Sequence, residues 1–318
     1  MNVQSVCVLG GTGFVGRHLV TRLANSGRQV TVLTRHRERR CRELLVMPNV
    51  ELVEAQVGDR AALLAAFAGQ DAVINLIGIL NEDTAQRFDD VHATLPGRVA
   101  DACREAGVAR LLHMSALNAD AVNGASHYLK SKGIGEDAAH AVSGVAVTSF
   151  RPSIIFGGDD SFFNRFARLL RLAPALPLAC PGARFQPVYV GDVANAFVRS
   201  LDAADSVGQR LELGGPRIYT LRELVEYTAQ LIGVKRLVIG LPDGLARLQA
   251  AIFERLPGKP FTTDNYRSLQ VDSVVRGTDG FALLGITPRS VEAVMPREMK
   301  SRNYRGSYDG YRTRAARD

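Results

Sequence analysis

Val8-Leu9-Gly10-Gly11-Thr12-Gly13-Phe14-Val15-Gly16 is the stretch on which the reading of this chain turns. An apolar run from Val3 to Leu9 precedes it and reads as a buried strand. Gly13 to Ser26 follows as a helix, with Val15, Leu19, Val20 and Leu23 recurring on one face. Between strand and helix the glycines fall at every third position. Gly10 permits a tight turn, Gly13 lets backbone approach a pyrophosphate, and Gly16 lets the helix close on the strand. The first helical turn then offers unpaired N–H groups and the positive end of the helix dipole to phosphate oxygens. Gly11, Thr12, Phe14 and Val15 complete the loop around that anion. A purely structural glycine turn is the competing interpretation.

Working outward, strands and helices alternate. Strands are expected at Gln29 to Thr34, Val50 to Val57, Ala72 to Ile77, Arg110 to Ser115 and Val145 to Phe150. Helices are expected at Arg60 to Ala68, Thr84 to Ala106 and Tyr128 to Val142. Such alternation predicts a parallel sheet covered on both faces, and right-handed crossovers make it a Rossmann-type doubly wound α/β fold. After Pro152 the rhythm breaks at Pro174, Pro177, Pro181 and Pro187. The expected organisation is a nucleotide-binding domain over 1–152, then 153–295 with elements returning to that domain plus a smaller lobe, then a basic tail over 296–318. Asp243 to Arg255 is amphipathic, with Leu245, Leu248, Ala251, Ile252 and Leu256 near one face. It reads as a core helix of the small lobe, with a membrane-surface or partner-binding face as the alternative.

Composition narrows the class. The 318 residues are 46% hydrophobic, enough for a sizeable core, with no Trp. Cys7, Cys41, Cys103 and Cys180 lie far apart, without zinc-ligand spacing, and read as free thiols in a reducing compartment. No metal site is expected. No apolar run approaches the roughly 20 residues of a membrane span, and Met1 to Leu9 lacks the pattern of a secretory signal. A cytoplasmic protein is expected, peripheral to the inner membrane if it docks there. The net charge of +7 gathers in Arg35, Arg37, Arg39, Arg40 and Arg42, and again in Arg297, Lys300, Arg302, Arg305, Arg312, Arg314 and Arg317. No nucleic-acid motif accompanies either cluster, so an acidic partner or an anionic lipid surface is the alternative to a solvated tail.

The candidate site residues all fall at strand ends or at one helix start. NAD sites usually place Asp or Glu at the end of the second strand; here Leu33-Thr34-Arg35 ends it. A guanidinium there pairs with a 2′-phosphate, so NADP(H) is expected in preference to NAD(H), with Arg39 or Arg40 assisting. Asp59 is a candidate acceptor for the adenine amino group, and Asn75 and Gly78 end the fourth strand beside the cofactor. Ser115 ends the fifth strand. Tyr128 and Lys132 are four apart, on one face if helical. A phenol with a pKa near ~10 needs a neighbouring cation to serve as an acid–base group, and Ser115 is suited to hold the substrate oxygen. His92 and His113 read as packed histidines. Phe162, Phe163 and Phe166 form an aromatic stripe that suits either core packing or a lid.

Gly10 to Gly16 with Ser115, Tyr128 and Lys132 resembles the extended and atypical short-chain dehydrogenase/reductases. Arg151-Pro152-Ser153-Ile154-Ile155-Phe156-Gly157 resembles the segment that lines the nicotinamide end in sugar-nucleotide epimerases and dehydratases, which implies a cofactor contact for Pro152. Asn75 to Gly78, His113 to Ala119, Phe150 to Phe166 and Gln186 to Asp192 are similar to the NADPH-binding accessory subunits of respiratory complex I (alpha-subcomplex subunit nine) and their bacterial relatives. That resemblance implies NADP(H) binding and a structural or assembly role. The Ser115, Tyr128 and Lys132 set implies an oxidoreductase or epimerase-type enzyme, which the resemblance links to respiratory NADH:quinone chemistry, with a substrate the sequence does not name. A redox-sensing regulator is a third reading, against which the Tyr and Lys pair speaks.

Overall fold

The computed structural model describes residues 3–35, 42–84 and 86–299. Seven strands form one sheet: β1 Ser5–Leu9, β2 Gln29–Thr34, β3 Val50–Glu54, β4 Ala72–Asn75, β5 Arg110–Met114, β6 Ala146–Pro152 and β7 Arg210–Leu213. Their order is β7-β6-β5-β4-β1-β2-β3, every pair parallel. The chain leaves β1 towards β2 on one side, and β4 lies on the other. The crevice at that reversal opens at the carboxyl ends of the strands, where doubly wound folds hold their ligands.

The strands are apolar on both faces because both faces are covered. Val6 and Val8 of β1 pack with Leu19, Val20 and Leu23 of α1 (Phe14–Asn25) and with Val193 and Phe197 of a helix over Val190–Asp202. Cys7 and Leu9, one residue out of phase, face the opposite layer of Leu63, Phe67, Val99 and Cys103. That second layer is built by α2 (Arg60–Phe67), α3 (Leu95–Glu105) and α4 (His127–His140).

The long helix expected over Thr84 to Ala106 does not form as one piece. Residues 89–94 wind as a wide π-helical turn and α3 begins only at Leu95. Pro96 explains the break: it has no N–H to give, and its ring would crowd the carbonyl of residue 92 in a regular α-helix. The His92 carbonyl is instead turned against Gly135 of α4, where any Cβ would overlap it.

The smaller lobe has its own core, with Phe163 and Leu170 of α5 (Ser161–Leu172), Leu224 and Val225 of α6 (Leu221–Leu231), and Phe156, Phe185, Val291 and Met295. The Phe162, Phe163 and Phe166 stripe goes into this core: Phe163 is fully buried and the other two pack against it. A helix over 291–299 runs past residue 296, where the tail was expected to begin, and buries Met299. Residues 300–318, and Cys41, Arg37, Arg39 and Arg40 of the first basic cluster, lie outside the described residues.

The helix α7 (Asp243–Phe253) corrects the sequence reading. It turns Ala246 and Ala250 inward, against Ala179 and Tyr266, and leaves Leu245, Leu248 and Ile252 exposed. It is amphipathic, but its large apolar side chains are not the core of the lobe.

Candidate functional site

The glycine turn has the backbone its residues imply. Gly10 sits at φ +78°, the left-handed region that favours glycine, and its carbonyl accepts from Gly13 N at 3.0 Å. A Cβ on Gly16 would overlap the Gly10 carbonyl and the Gly11 backbone, and one on Gly11 would come within 2.7 Å of Val32 Cγ1. Gly13 is exposed, with only the Gly10 carbonyl near it. Among the described residues no side chain caps the start of α1, and its first turn carries no acid. The turn therefore presents backbone amides to the crevice without a protein carboxylate competing for them, which suits a diphosphate. Phe14 closes the other side, its ring edge lying over Gly157.

Arg35 follows β2 and is exposed. The register sets Leu33 opposite Leu9, so β2 ends at Thr34, one residue beyond the end of β1, and Arg35 follows it on the side of the glycine turn. Asp59 accepts from Ala61 N (2.9 Å) and Ala62 N (3.4 Å), so one of its oxygens caps α2. Asn75 is buried between β1 and β5; its Oδ1 accepts from Ile77 N (3.1 Å), and its Nδ2 lies 3.5 Å from His113 Nδ1. Gly78 passes so close to α4 that a Cβ there would be 3.2 Å from Lys132 Nζ. Pro152 is buried at the end of β6, where its carbonyl accepts from Leu117 N at 3.1 Å.

Ser126 caps α4, and Tyr128 and Lys132 rise from its first two turns. Lys132 is buried; its Nζ donates to the Met114 carbonyl at 3.1 Å, which ties the helix to the end of β5. Burial lowers its pKa to about 8, against the opposing charge of Glu136 one turn on. Ser115, the next residue along, is 3% exposed and its hydroxyl has no partner among the described residues. A buried hydroxyl is seldom left so unless something else meets it. Tyr128 is half-buried, its ring edge-on to His92 and Phe88, and burial pushes the phenol up to about 12.

Three features of this site escaped the sequence reading. His92 is more than packing: its Nε2 accepts from Ile79 N (3.0 Å), which leaves the proton on Nδ1 to meet Ser131 Oγ at 3.2 Å. Ser131 in turn donates to the Tyr128 carbonyl. Burial, and secondarily the Lys132 charge, push His92 down to about 2, so it is neutral. Second, the small lobe reaches back to the same helix. Asp264 accepts from His127 N (2.7 Å) and Tyr128 N (3.1 Å), and Ser268 Oγ meets Ser126 Oγ at 2.8 Å. Third, Arg151 grips the fully buried Glu136 through Nε and Nη2, at 2.6–3.1 Å. The available sequence signal was Gly133 and Gly135, two glycines inside a helix; each marks a close approach, of the 120–121 backbone and of the π turn respectively.

A doubly wound α/β protein with a nucleotide-type glycine turn at the carboxyl edge of its parallel sheet is the class these features define. The NAD dependent epimerase/dehydratase family matches residues 6–214, and the chain belongs to that family. It is 34% identical to the mouse mitochondrial NADH dehydrogenase [ubiquinone] 1 alpha subcomplex subunit 9, over 90% of this chain and 77% of that protein. It is 33% identical to a ceramide reductase of Caulobacter vibrioides, over 75% of this chain and 74% of the relative. Among solved structures, a dTDP-glucose 4,6-dehydratase from Streptomyces venezuelae with NAD bound superposes with a TM-score of 0.72 at 19% identity, over 93% of this chain and 95% of that one; it shares the fold.

Proposed function

We propose that this protein binds NADP(H) in preference to NAD(H) and acts as an oxidoreductase of the short-chain dehydrogenase/reductase kind, in association with respiratory NADH:quinone oxidoreductase. The observation that carries the catalytic part is the unpartnered, buried Ser115 hydroxyl, one residue from the carbonyl that anchors Lys132. When bound, the dinucleotide supplies the hydride chemistry. Amides of the Gly11 to Gly16 turn, other than that of Gly13, which the Gly10 carbonyl holds, take its diphosphate, Arg35 takes the 2′-phosphate, and Asn75, Gly78 and Pro152 border its nicotinamide half. Ser115 orients a substrate carbonyl or hydroxyl oxygen. Tyr128 exchanges a proton with that oxygen, and the Lys132 ammonium beside it favours the phenolate that burial opposes. Asp264 and Ser131 hold the first turn of α4, and with it the phenol, in place.

A second reading has its own support. The likeness to subunit 9 covers nine-tenths of the chain, and the half-buried Tyr128 phenol is pushed up rather than down. On this reading the protein is an accessory or assembly factor of the respiratory complex, and its bound NADPH stabilises the fold by mass action. One preparation separates the two. Isothermal titration should give tighter binding of NADPH than of NADH, with the preference lost in Arg35→Asp. Oxidation of NADPH across a panel of carbonyls and quinones should fall at least about a hundredfold in Tyr128→Phe, the lower range for losing a general acid. Binding without turnover on any acceptor would leave the accessory reading; absence of binding would remove both.

A further inference from the structure

The largest unexplained feature of the surface is apolar. Among the described residues fifteen large aliphatic side chains are exposed, and eight of them lie on one edge of the small lobe: Leu169, Leu172, Leu237, Ile239, Leu245, Leu248, Ile252 and Leu256. Three elements bring them together. Leu169 and Leu172 end α5; Leu172 is 78% exposed. The chain continues into a strand over Ala175–Leu178, which pairs with a strand over Leu237–Gly240. Leu237 and Ile239 alternate outward from that second strand while Val238 points into the core. Leu241 N then bonds the Leu178 carbonyl (2.9 Å), and Gln249 of α7 bonds the Pro177 carbonyl (3.2 Å), which seats α7 on the same edge. Leu245, Leu248 and Ile252 follow at three- and four-residue spacing, one stripe along the helix, and Leu256 lies in the turn beyond.

The unpaired cations around the stripe outnumber its acids. Arg168, Arg171, Lys235 and Arg255 are exposed beside it, and none of them is ion-paired among the described residues. Of the acids nearby, Asp243 is ion-paired with Arg247 and also accepts from Tyr266, while Glu254 accepts from Thr263 and keeps its charge. The sequence after residue 299 continues with Lys300, Arg302, Arg305, Arg312, Arg314 and Arg317 against only Asp309 and Asp318. Aliphatic side chains ringed by unpaired basic groups match the interfacial zone of an anionic bilayer, where chains enter the acyl boundary and cations meet phosphates. A protein partner fits less well, because the stripe lacks the Trp and Tyr anchors that dominate binding energy at protein interfaces and consists of Leu and Ile instead.

We propose that this edge of the small lobe, led by α7, lies in the surface of an anionic lipid bilayer. The proposal is independent of whether the dinucleotide site turns over, and its test is kept separate from that site. Full-length protein is floated with vesicles of phosphatidylcholine alone and of phosphatidylcholine with about one-third phosphatidylglycerol, a content at which basic clusters bind. Flotation with the anionic vesicles, weakened by salt, is expected. The triple change Leu245→Ser, Leu248→Ser, Ile252→Ser should lower vesicle affinity on the order of a hundredfold, from the apolar area it withholds. Arg168→Gln with Arg171→Gln should lower it about tenfold or more. Both variants should titrate NADPH and melt as the parent does, and Leu248→Glu alone provides a milder replacement if the triple variant misfolds. Failure to float with either vesicle overturns the proposal. Undiminished flotation of the serine variant overturns it too, since the tail would then suffice. So does a concentration-dependent dimer on light scattering that the same serines abolish, because the edge would then be covered by a second copy.

Discussion

The β1–α1–β2 unit and the unit of strand Leu237–Gly240 with α7 are built from the same parts, a short apolar strand and an amphipathic helix, yet they bury opposite sides. In α1 the large residues Leu19, Val20 and Leu23 go inward; in α7 the inward residues are Ala246 and Ala250. The difference lies in the surface each helix meets. Across a sheet face there is depth for leucines to interdigitate with Val6, Val8 and Val32. Against Ala179, Cys180 and Tyr266 the side chains that α7 buries are its alanines. An amphipathic pattern thus says that a helix has two sides; the facing surface decides which one is covered.

The largest break in that comparison would come from denying α1 its approach to the strand. Gly16→Val places a Cβ on the Gly10 carbonyl and the Gly11 backbone, neither of which can move without opening the turn. A loss of at least about 4 kcal/mol is expected, in the range of strained core changes, together with loss of NADPH binding. Urea unfolding and titration check it. A variant as stable as the parent would mean that the turn is looser than its geometry.

Acid should strike the same half of the molecule. All six histidines of the chain lie before residue 141, and none is in the small lobe. His92 and His113 are held neutral by burial, pushed down to about 2 and about 3. The unfolded chain takes up their protons near pH 6.5 and the folded chain does not, so stability is present above that pH and is lost as pH falls below it. Between pH 7.5 and 5.5 each histidine withdraws about 1.4 kcal/mol, about 3 kcal/mol together. Lys132, lowered to about 8, works in the same sense at higher pH: stability rises between about 8 and its usual value near 10.5. Hydrogen exchange at pH 5.5 should open β4, β5 and α4 first. Equal opening of the small lobe would show that the histidines are not the cause.

The same contrast explains what could be read in advance. The sheet half was legible because strand and helix periods, glycine stops and one turn motif agree there; β2 has the limits its residues suggested. Ser115, Tyr128 and Lys132 were visible as types at strand and helix ends. Their supporting groups were not, because Asp264 is 136 residues from the Tyr128 amide it accepts from, and no local pattern encodes such a pairing. The π turn at 89–94 was hidden in a helical pattern that Pro96 alone interrupts, and only Gly135, forty-odd residues on, records where the displaced carbonyl goes. In the small lobe hydrophobic size was a poor guide, since α7 packs through its smallest residues.

The smallest expected effect is also the sharpest check on that last point. Leu248 is 55% exposed and Ala250, two residues on, is fully buried. If size predicted burial, Leu248→Ala would cost about 2–5 kcal/mol, as leucine deletions in cores do. On the observed packing it should change unfolding free energy by no more than about 0.5 kcal/mol, the range for surface substitutions. The reciprocal Ala250→Leu adds volume at a fully buried position facing Ala179 and Tyr266, and should destabilise by about 1–3 kcal/mol. Gaining a leucine would then harm the helix more than losing one. Urea unfolding of the two variants at pH 7.5 decides the matter, and the opposite ranking would put the leucine stripe inside the lobe and take the bilayer face away with it.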